Sequence, residues 1–176
     1  MDLRYRWATP DDADAIVALA QSAYRGDASR AGWTTEADFL DGQRIDRDGV
    51  IELLGEGQGI VLAEGDDGSP RACCHVARDA DDAWFGLFAV DPALQGQGVG
   101  DRLLAEAERR VAADFGCRRL RMKVIWLRDS LIAWYLRRGF QRSDETHPFP
   151  YGQERFGIPR RDDLHFIVLD KPLASD

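Results

Sequence analysis

Three glycines alternate with other residues along Gln95-Gly96-Gln97-Gly98-Val99-Gly100, shortly after an apolar run that ends at Asp91-Pro92. Glycine tolerates positive φ and lets a ligand approach the backbone closely. A helical apolar pattern begins near Val99, and the first turn of a helix presents free N–H groups and a positive dipole end. Strand, glycine turn and helix in this order predict a phosphate-binding site at residues 95–101.

Two common phosphate motifs do not fit this stretch. A P-loop requires Lys followed by Ser or Thr after its last glycine, and no Lys ends this turn. A dinucleotide fingerprint requires a third glycine at the position that Asp101 occupies. The spacing that fits is Gln-x-x-Gly-x-Gly, with Gln95, Gly98 and Gly100. It resembles the pyrophosphate loop of the GNAT superfamily of acetyl-CoA-dependent N-acyltransferases.

A second GNAT-like feature is Tyr135, which stands four residues before Gly139-Phe140 in a predicted short helix. The resemblance implies that this tyrosine lies near the CoA sulfur and acts as the general acid. From the residue alone, Tyr135 could equally pack in the core with its hydroxyl bonded to backbone.

The resemblance implies a CoA site along the end of the strand, the loop and the start of the helix. The residues concerned are Phe88, Ala89, Val90, Gln95, Gly96, Gln97, Gly98, Val99, Gly100 and Asp101. Arg128 stands where the family often has Asn, and its planar guanidinium suits phosphate. We therefore include Arg128 among the expected CoA contacts, and the resemblance implies no metal.

For the acceptor pocket, the resemblance points to the first helical loop and to the segment before the last strand. These segments combine aromatic side chains with a carboxylate, which suits an ammonium-bearing or aromatic ligand. The expected substrate-binding residues are Trp33, Glu36, His75, Phe149 and Tyr151. The aromatic residues could instead only fix long loops onto the sheet.

The catalytic base stays open at the level of sequence. Many relatives carry a Glu on the strand before the loop, but residues 84–88 contain no carboxylate. The remaining candidates are His75, His165, Glu36 or a chain of ordered water molecules. The arginine pairs at 109–110, 118–119 and 137–138 are expected on solvated faces.

Composition limits the classes of function. The 176 residues, of which 44% are hydrophobic and 31% charged, are typical of one globular domain spanning residues 1–176. A net charge of −8 argues against nucleic acid and favours cationic substrates such as amines. No apolar run is long enough to cross a bilayer. Cys73, Cys74 and Cys117 lack metal-ligand spacing, and the absence of a secretion signal predicts reduced thiols in the cytoplasm.

Local patterns predict an alternation of strands and helices. Strands are expected at 3–7, 59–64, 71–78, 83–90, 119–124 and 164–169, and helices at 10–24, 34–40, 46–54, 99–115 and 129–136. The fold class is therefore α/β (α+β). The resemblance implies one GNAT-like domain, with a mixed, mostly antiparallel sheet of about seven strands that is splayed at the CoA site and has helices on both faces.

The function implied by the resemblance is transfer of an acetyl group from acetyl-CoA to the primary amine of a small molecule. Two alternatives stay open: a module that binds acyl-CoA without turnover, and a protein N-acetyltransferase. The missing strand carboxylate and the Arg128 departure motivate the first of them. The expected partners are acetyl-CoA and a small amine acceptor, with no nucleic acid and no membrane. A homodimer is also open, because family members are often dimers.

Overall fold

A computed structural model describes residues 1–25, 35–154 and 157–174, and a seven-stranded sheet organises them. Along the described chain the strands are β1 (Arg4–Trp7), β2 (Leu40–Asp41), β3 (Gln58–Glu64), β4 (Pro70–Asp79), β5 (Asp82–Val90), β6 (Arg119–Ile125), β7 (Gln141–Pro148), β8 (Ile158–Pro159) and β9 (His165–Pro172). The sheet has the order β1-β3-β4-β5-β6-β9-β7, and β2 pairs separately with β8. Every pair is antiparallel except β5 with β6. The predicted mixed, mostly antiparallel sheet is confirmed.

Helices cover both faces of the sheet, as predicted. The helices are α1 (Ala13–Tyr24), α2 (Arg47–Glu52), α3 (Val99–Phe115) and α4 (Asp129–Leu136). The larger apolar core joins the sheet to α3 and α4, and a second core joins the opposite face to α1 and α2. No helix among the described residues is both long and apolar enough to cross a membrane.

The sheet opens between its two parallel strands. The β5–β6 ladder runs from Asp82 opposite Arg119 to Phe85 opposite Met122 and goes no further. At the same level, Leu87 and Phe88 of β5 together oppose the single residue Cys74 of β4, which is a β-bulge. Leu87 takes a positive φ of 46° there. The bulge turns the end of β5 away from β6, so the predicted splay is confirmed.

Helix α3 follows the prediction at both ends. It begins at Val99 behind Gly98, whose φ is +77°, and it ends before Gly116, whose φ is +66°. Both positions are left-handed, which glycine adopts without the steric cost of a Cβ. The buried residues of α3 recur at spacings of three and four, namely Val99, Leu103, Leu104, Ala107 and Val111.

Two of the predictions about local structure are wrong. The helix expected at 34–40 is instead a turn over the described residues 35–39 that leads into β2. The N–H of Glu36 donates to the Tyr24 carbonyl at 3.0 Å, so a tertiary contact replaces the local helix bond. Arg110 was expected on a solvated face but is buried, because it donates to Glu106 and to the Tyr5 carbonyl.

Candidate active site

A cavity of about 370 Å³ opens beside the glycine loop, between the end of β5 and the helices α1, α3 and α4. Its wall contains eight of the predicted CoA contacts, namely Phe88, Val90, Gln95, Gly96, Gly98, Gly100, Asp101 and Arg128. Five further residues complete the lining: Ala23, Tyr24, Leu131, Trp134 and Arg138. The glycine motif and the strand that precedes it therefore meet at one cavity.

The three other predicted CoA contacts do not line this cavity with their side chains. Ala89 packs in the core on the α1 side of the sheet, and Val99 packs in the core under α3. The side-chain amide of Gln97 donates to the Ala93 carbonyl at 3.0 Å, on the exposed side of the loop.

The loop is shaped to bring its backbone close to a ligand. Gly96 and Gly98 have φ of +81° and +77°, and a Cβ built at either position would meet no protein atom within 4 Å. Both glycines therefore border open space. Gln95 holds the loop to the strand end, because its side-chain amide donates to the Val90 carbonyl at 3.3 Å. The first N–H groups of α3 lack helical acceptors, and at the cavity they suit a phosphate.

Arg138 adds a cation at the mouth of this cavity. Its guanidinium pairs with Asp101 and lies 3.6 Å from the centroid of the Trp134 ring. The Arg138 hydrogen bond lowers the pKa of Asp101, which keeps that carboxylate charged. Arg138 was expected on a solvated face, because its position just after α4 gave no sign that Asp101 of α3 would lie beside it.

A smaller cavity of about 70 Å³ lies in the opening between β5 and β6. It adjoins the first cavity, since Tyr24, Phe88, Arg128 and Leu131 line both. Tyr135 lines the smaller cavity. Phe88 and Arg128 therefore lie between the cavity at the glycine loop and the cavity at Tyr135.

Tyr135 stands within a group of aromatic rings. Phe88, Trp134 and Phe140 lie with their centroids 6.2, 5.1 and 5.5 Å from the Tyr135 ring. Burial raises the pKa of Tyr135 well above its usual value of 10, which the nearby Arg128 partly opposes. Among the described residues, the Tyr135 hydroxyl has no hydrogen-bond partner. The expectation that this hydroxyl could be bonded to backbone is therefore wrong.

Glu36 is a charged residue in the lining of the smaller cavity. Its Oε1 lies 3.2 Å from Arg25 Nη2 and 4.0 Å from Arg44 Nε, and its Oε2 lies 3.6 Å from Arg128 Nη1. Burial alone would raise the pKa of Glu36, but the three guanidinium groups outweigh it and lower that pKa. Glu36 is therefore an ionised carboxylate that is already paired with arginines. It is not the unpaired anion that binding of an ammonium group would require.

Comparison with known families agrees with this arrangement. Residues 56–142 match the family model described as Acetyltransferase (GNAT) domain. The matched range contains β5 with its bulge, the glycine loop and Tyr135. The chain therefore contains a GNAT acetyltransferase domain. Comparison with curated proteins gives no match.

Solved structures of low identity share the GNAT fold over nearly the whole chain. The ribosomal-protein-S18-alanine N-acetyltransferase from Escherichia coli is 17% identical with a TM-score of 0.72, over 99% of this chain and 96% of that chain. Nourseothricin acetyltransferase is 23% identical with a TM-score of 0.69, over 99% and 100%. PaiA N-acetyltransferase from Thermoplasma acidophilum, in complex with coenzyme A, is 15% identical with a TM-score of 0.70, over 98% and 99%.

Three other predicted acceptor residues, His75, Phe149 and Tyr151, line neither cavity. The Nε2 atom of His75, on β4, lies 3.1 Å from Oε1 of Gln58, on β3. Burial together with the charge of Arg44 lowers the pKa of His75 to about 4. Phe149 packs against Phe166, which does line the smaller cavity. The Tyr151 hydroxyl accepts from the Leu164 N–H and donates to the Arg161 carbonyl, so it fixes the loop before β9. Trp33 lies outside the described residues.

Other candidate groups of the GNAT domain are also accounted for. His165 stacks on Trp126 with centroids 5.5 Å apart, outside both cavities. Cys73, Cys74 and Cys117 are buried thiols, and burial raises the pKa of Cys73 to about 12. Within the part of the chain that the structure describes, no group of three or more His, Cys, Asp or Glu side chains could hold a metal ion.

Proposed function

We propose that this enzyme transfers an acetyl group from acetyl-CoA to the primary amine of a small acceptor, by direct attack of the amine on the thioester. The observation that carries the proposal is that the two cavities are adjacent and share four lining residues. The larger cavity is lined by the glycine loop and the N-terminus of α3, and the smaller one by Tyr135. This arrangement suits a long donor with a phosphate at one end and a reacting group at the other.

The residues present fit acetyl-CoA as the donor. Backbone N–H groups of residues 96–101 would hold the pyrophosphate, and Arg138 at the cavity mouth would face a further phosphate. Beyond Phe85, the β5 edge that faces β6 has no partner strand, so its backbone groups are available to the pantetheine arm. Backbone N–H groups near 88–90 would stabilise the charge that develops on the carbonyl oxygen. The fold shared with a GNAT structure that holds coenzyme A supports this assignment.

Tyr135 would supply the proton for the leaving group. As the C–N bond forms and the C–S bond breaks, Tyr135 donates its phenolic proton to the sulfur. It then regains a proton that the attacking nitrogen releases through water. The raised pKa of Tyr135 means that the hydroxyl stays protonated until negative charge accumulates on the sulfur beside it.

None of the three protein bases considered from the sequence suits the amine proton, and His165 lines neither cavity. Glu36 has a lowered pKa and is paired with arginines, and His75 has a pKa of about 4 and lies outside the cavities. We propose that the amine loses its proton to water. Arg44 and Arg128 assist this step, because positive charge near an amine lowers the pKa of its ammonium form.

A thermal-shift measurement with acetyl-CoA tests donor binding. A ligand at about 100 times its Kd stabilises a protein by about 2.7 kcal/mol, which for a chain of this size raises Tm by roughly 5–10 °C. We expect that rise with acetyl-CoA and none with acetate at the same concentration. The absence of a shift at millimolar acetyl-CoA would overturn the assignment of the donor.

A thiol-release assay over a panel of amines then tests turnover. Release of free CoA that depends on the added amine supports the acetyltransferase reaction. Binding of acetyl-CoA without release of CoA for any amine or peptide would favour a module that binds without turnover. Release with peptides and with no small amine would favour a protein acceptor.

A further inference from the structure

Arg44 lines the smaller cavity, and its guanidinium makes few polar contacts with the described residues. Its side chain is 27% exposed, its Nε is 4.0 Å from Glu36 Oε1, and its Cζ lies 5.1 Å from the centroid of the Tyr24 ring. Among the described residues, the Arg44 guanidinium donates no hydrogen bond. A guanidinium has five N–H donors, and Arg44 lines the cavity, so it has donors to offer a ligand there.

Two more cations line the same cavity. Arg128 is 7% exposed and lies 5.5 Å from the centroid of the Tyr24 ring, so the two arginines share one aromatic surface. Lys123 of β6 also lines the cavity, although its Nζ lies 5.1 Å from the centroid of the Trp84 ring, which is not part of the lining. Among the described lining residues, Glu36 supplies the one carboxylate, and it also binds Arg25. The described lining therefore has an excess of positive charge.

Partial burial of the Arg44 guanidinium, which lies 4.0 Å from a Glu36 carboxylate that also pairs with other arginines, costs desolvation energy that an added anion would offset. The planar fork of arginine matches a carboxylate or a phosphonate in two parallel hydrogen bonds. The geometry points to an acceptor that carries such an oxyanion close to its amine, with Arg44 binding the oxyanion and Arg128 beside it. The acceptor would thus be a small amino acid or an aminophosphonate. This inference rests on the proposed acetyltransferase function.

The size and position of the cavity agree with this class of acceptor. Its volume is about 70 Å³, and Tyr135 lines it together with Arg44. An oxyanion bound at Arg44 is therefore near the reacting centre, so few bonds can separate it from the amine. A Cβ at Gly86 would meet no protein atom within 4 Å, which leaves room beside β5 for the acceptor.

The test compares matched acceptors with and without the oxyanion. The panel contains the common amino acids, each with its decarboxylated amine, and aminomethylphosphonate with methylamine. We expect at least one acid to have a kcat/KM about ten times or more that of its matched amine. Comparison of glycine with aminomethylphosphonate then tells which oxyanion Arg44 prefers.

Variants of the arginines identify the residue responsible. We expect Arg44→Gln to raise the KM of the preferred acid about tenfold or more and to reduce the preference for acid over amine by the same factor. The KM of acetyl-CoA should change little. Arg47→Gln is the matched control, because Arg47 is three residues away, is 54% exposed and pairs with Asp14 outside both cavities. Arg44→Lys keeps the charge and should retain part of the preference.

Three results would contradict the inference in distinguishable ways. A preference for amines over acids, or equal effects of Arg44→Gln and Arg47→Gln, overturns the oxyanion site while the acetyltransferase stands. No acetylation of any acid in the panel, with the acetyl-CoA thermal shift intact, also overturns the acceptor class. Loss of the thermal shift itself overturns the proposed donor, and the acceptor inference falls with it.

Discussion

Tyr135 illustrates how burial determines what one side chain can do. Its ring is surrounded by Phe88, Trp134 and Phe140, and Tyr135 lines a cavity that Arg128 also lines. Burial raises the pKa of Tyr135 well above 10, so the hydroxyl keeps its proton across the accessible pH range. A proton held this firmly is donated only as negative charge develops next to it.

We predict that Tyr135→Phe lowers kcat by roughly 10²-fold, at the lower end of the range for general acid catalysis, because a strongly raised pKa limits the extent of proton transfer. The KM of acetyl-CoA should change by less than about threefold, since the ring that packs at the cavity remains. In the wild type, kcat should show no decline from loss of the Tyr135 proton below about pH 10. Steady-state kinetics over a pH series measures all three quantities.

Tyr5→Phe is the matched control for this substitution. The Tyr5 hydroxyl is buried without a hydrogen-bond partner and lies outside both cavities. Its removal deletes an unsatisfied polar group, so stability should stay constant or rise slightly. Full turnover by Tyr135→Phe, or an equal loss with Tyr5→Phe, would remove the role of Tyr135 as general acid.

At the scale of elements, helix α3 carries left-handed glycines at both of its ends. Gly98 precedes the helix with φ of +77° and lines the larger cavity, and Gly116 follows it with φ of +66°. A Cβ at either position would meet no protein atom within 4 Å. The two positions therefore have the same backbone strain and differ in what lies beside them.

We predict that Gly98→Ala and Gly116→Ala each destabilise the fold by about 1–2 kcal/mol, the cost of a left-handed residue with a Cβ. Only Gly98→Ala should also raise the Kd of acetyl-CoA, by about tenfold, because its methyl group projects into the cavity where the pyrophosphate would lie. Urea denaturation gives the stabilities, and calorimetric titration gives the Kd. Equal Kd values for the two variants would place the pyrophosphate elsewhere.

The elements that sequence predicted well are those specified by local signals. The start of α3 at Val99 and its end before Gly116 follow from glycine positions and a three-and-four apolar spacing, all within about 20 residues. Likewise, alternation of basic and apolar residues in β6 identified a strand. The turn at Glu36 was mistaken for a helix because Tyr24 and three arginines hold it, and no local pattern contains those partners.

The candidate site divides in the same way. The position of the larger cavity could be predicted, because the glycine loop that lines it has a local motif. The charges of the smaller cavity could not, because Arg44 belongs to no motif and becomes significant only when Arg128 comes to lie on the same Tyr24 ring. Arg138 is similar, since its pairing with Asp101 joins the turn after α4 to a helix that is distant in sequence. Sequence spacing identifies positions with special backbone conformations, such as the glycines of the loop. Which charged side chains lie beside them depends on tertiary packing.

For the whole molecule, net charge and local charge point in opposite directions. The chain has a net charge of −8, which by itself favours cationic ligands. The described lining of the smaller cavity nevertheless contains Arg44, Lys123 and Arg128 against Glu36. Acidic groups are instead distributed over surface ion pairs, such as those along α3 and at the sheet ends. The sign of the charge in a cavity therefore has to be read from the residues that line it, not from the net charge of the chain.

Acid stability of the fold depends in part on Asp12, at the start of α1. Its two carboxylate oxygens accept hydrogen bonds from Arg6 at 2.8 Å, and one also accepts from the Thr9 N–H. The Arg6 hydrogen bonds lower the pKa of Asp12 to about 2. A lowered folded-state pKa means that this stabilisation is complete above the unfolded pKa of about 4 and is lost as pH falls toward 2.

We predict that Asp12→Asn destabilises the protein by about 1 kcal/mol at pH 7, a value reduced for solvent screening because the Arg6 side chain is 41% exposed. The difference from wild type should stay constant down to about pH 5 and shrink toward zero near pH 2, where Asp12 of the wild type is protonated as well. Urea midpoints measured from pH 7 to pH 2 give this difference. Asp14→Asn, two residues along the same helix start and 81% exposed, is the matched control and should show little change at any pH. If the difference between Asp12→Asn and wild type is independent of pH, the Asp12–Arg6 pair does not contribute to the loss of stability in acid. Only a carboxylate that titrates makes that difference depend on pH.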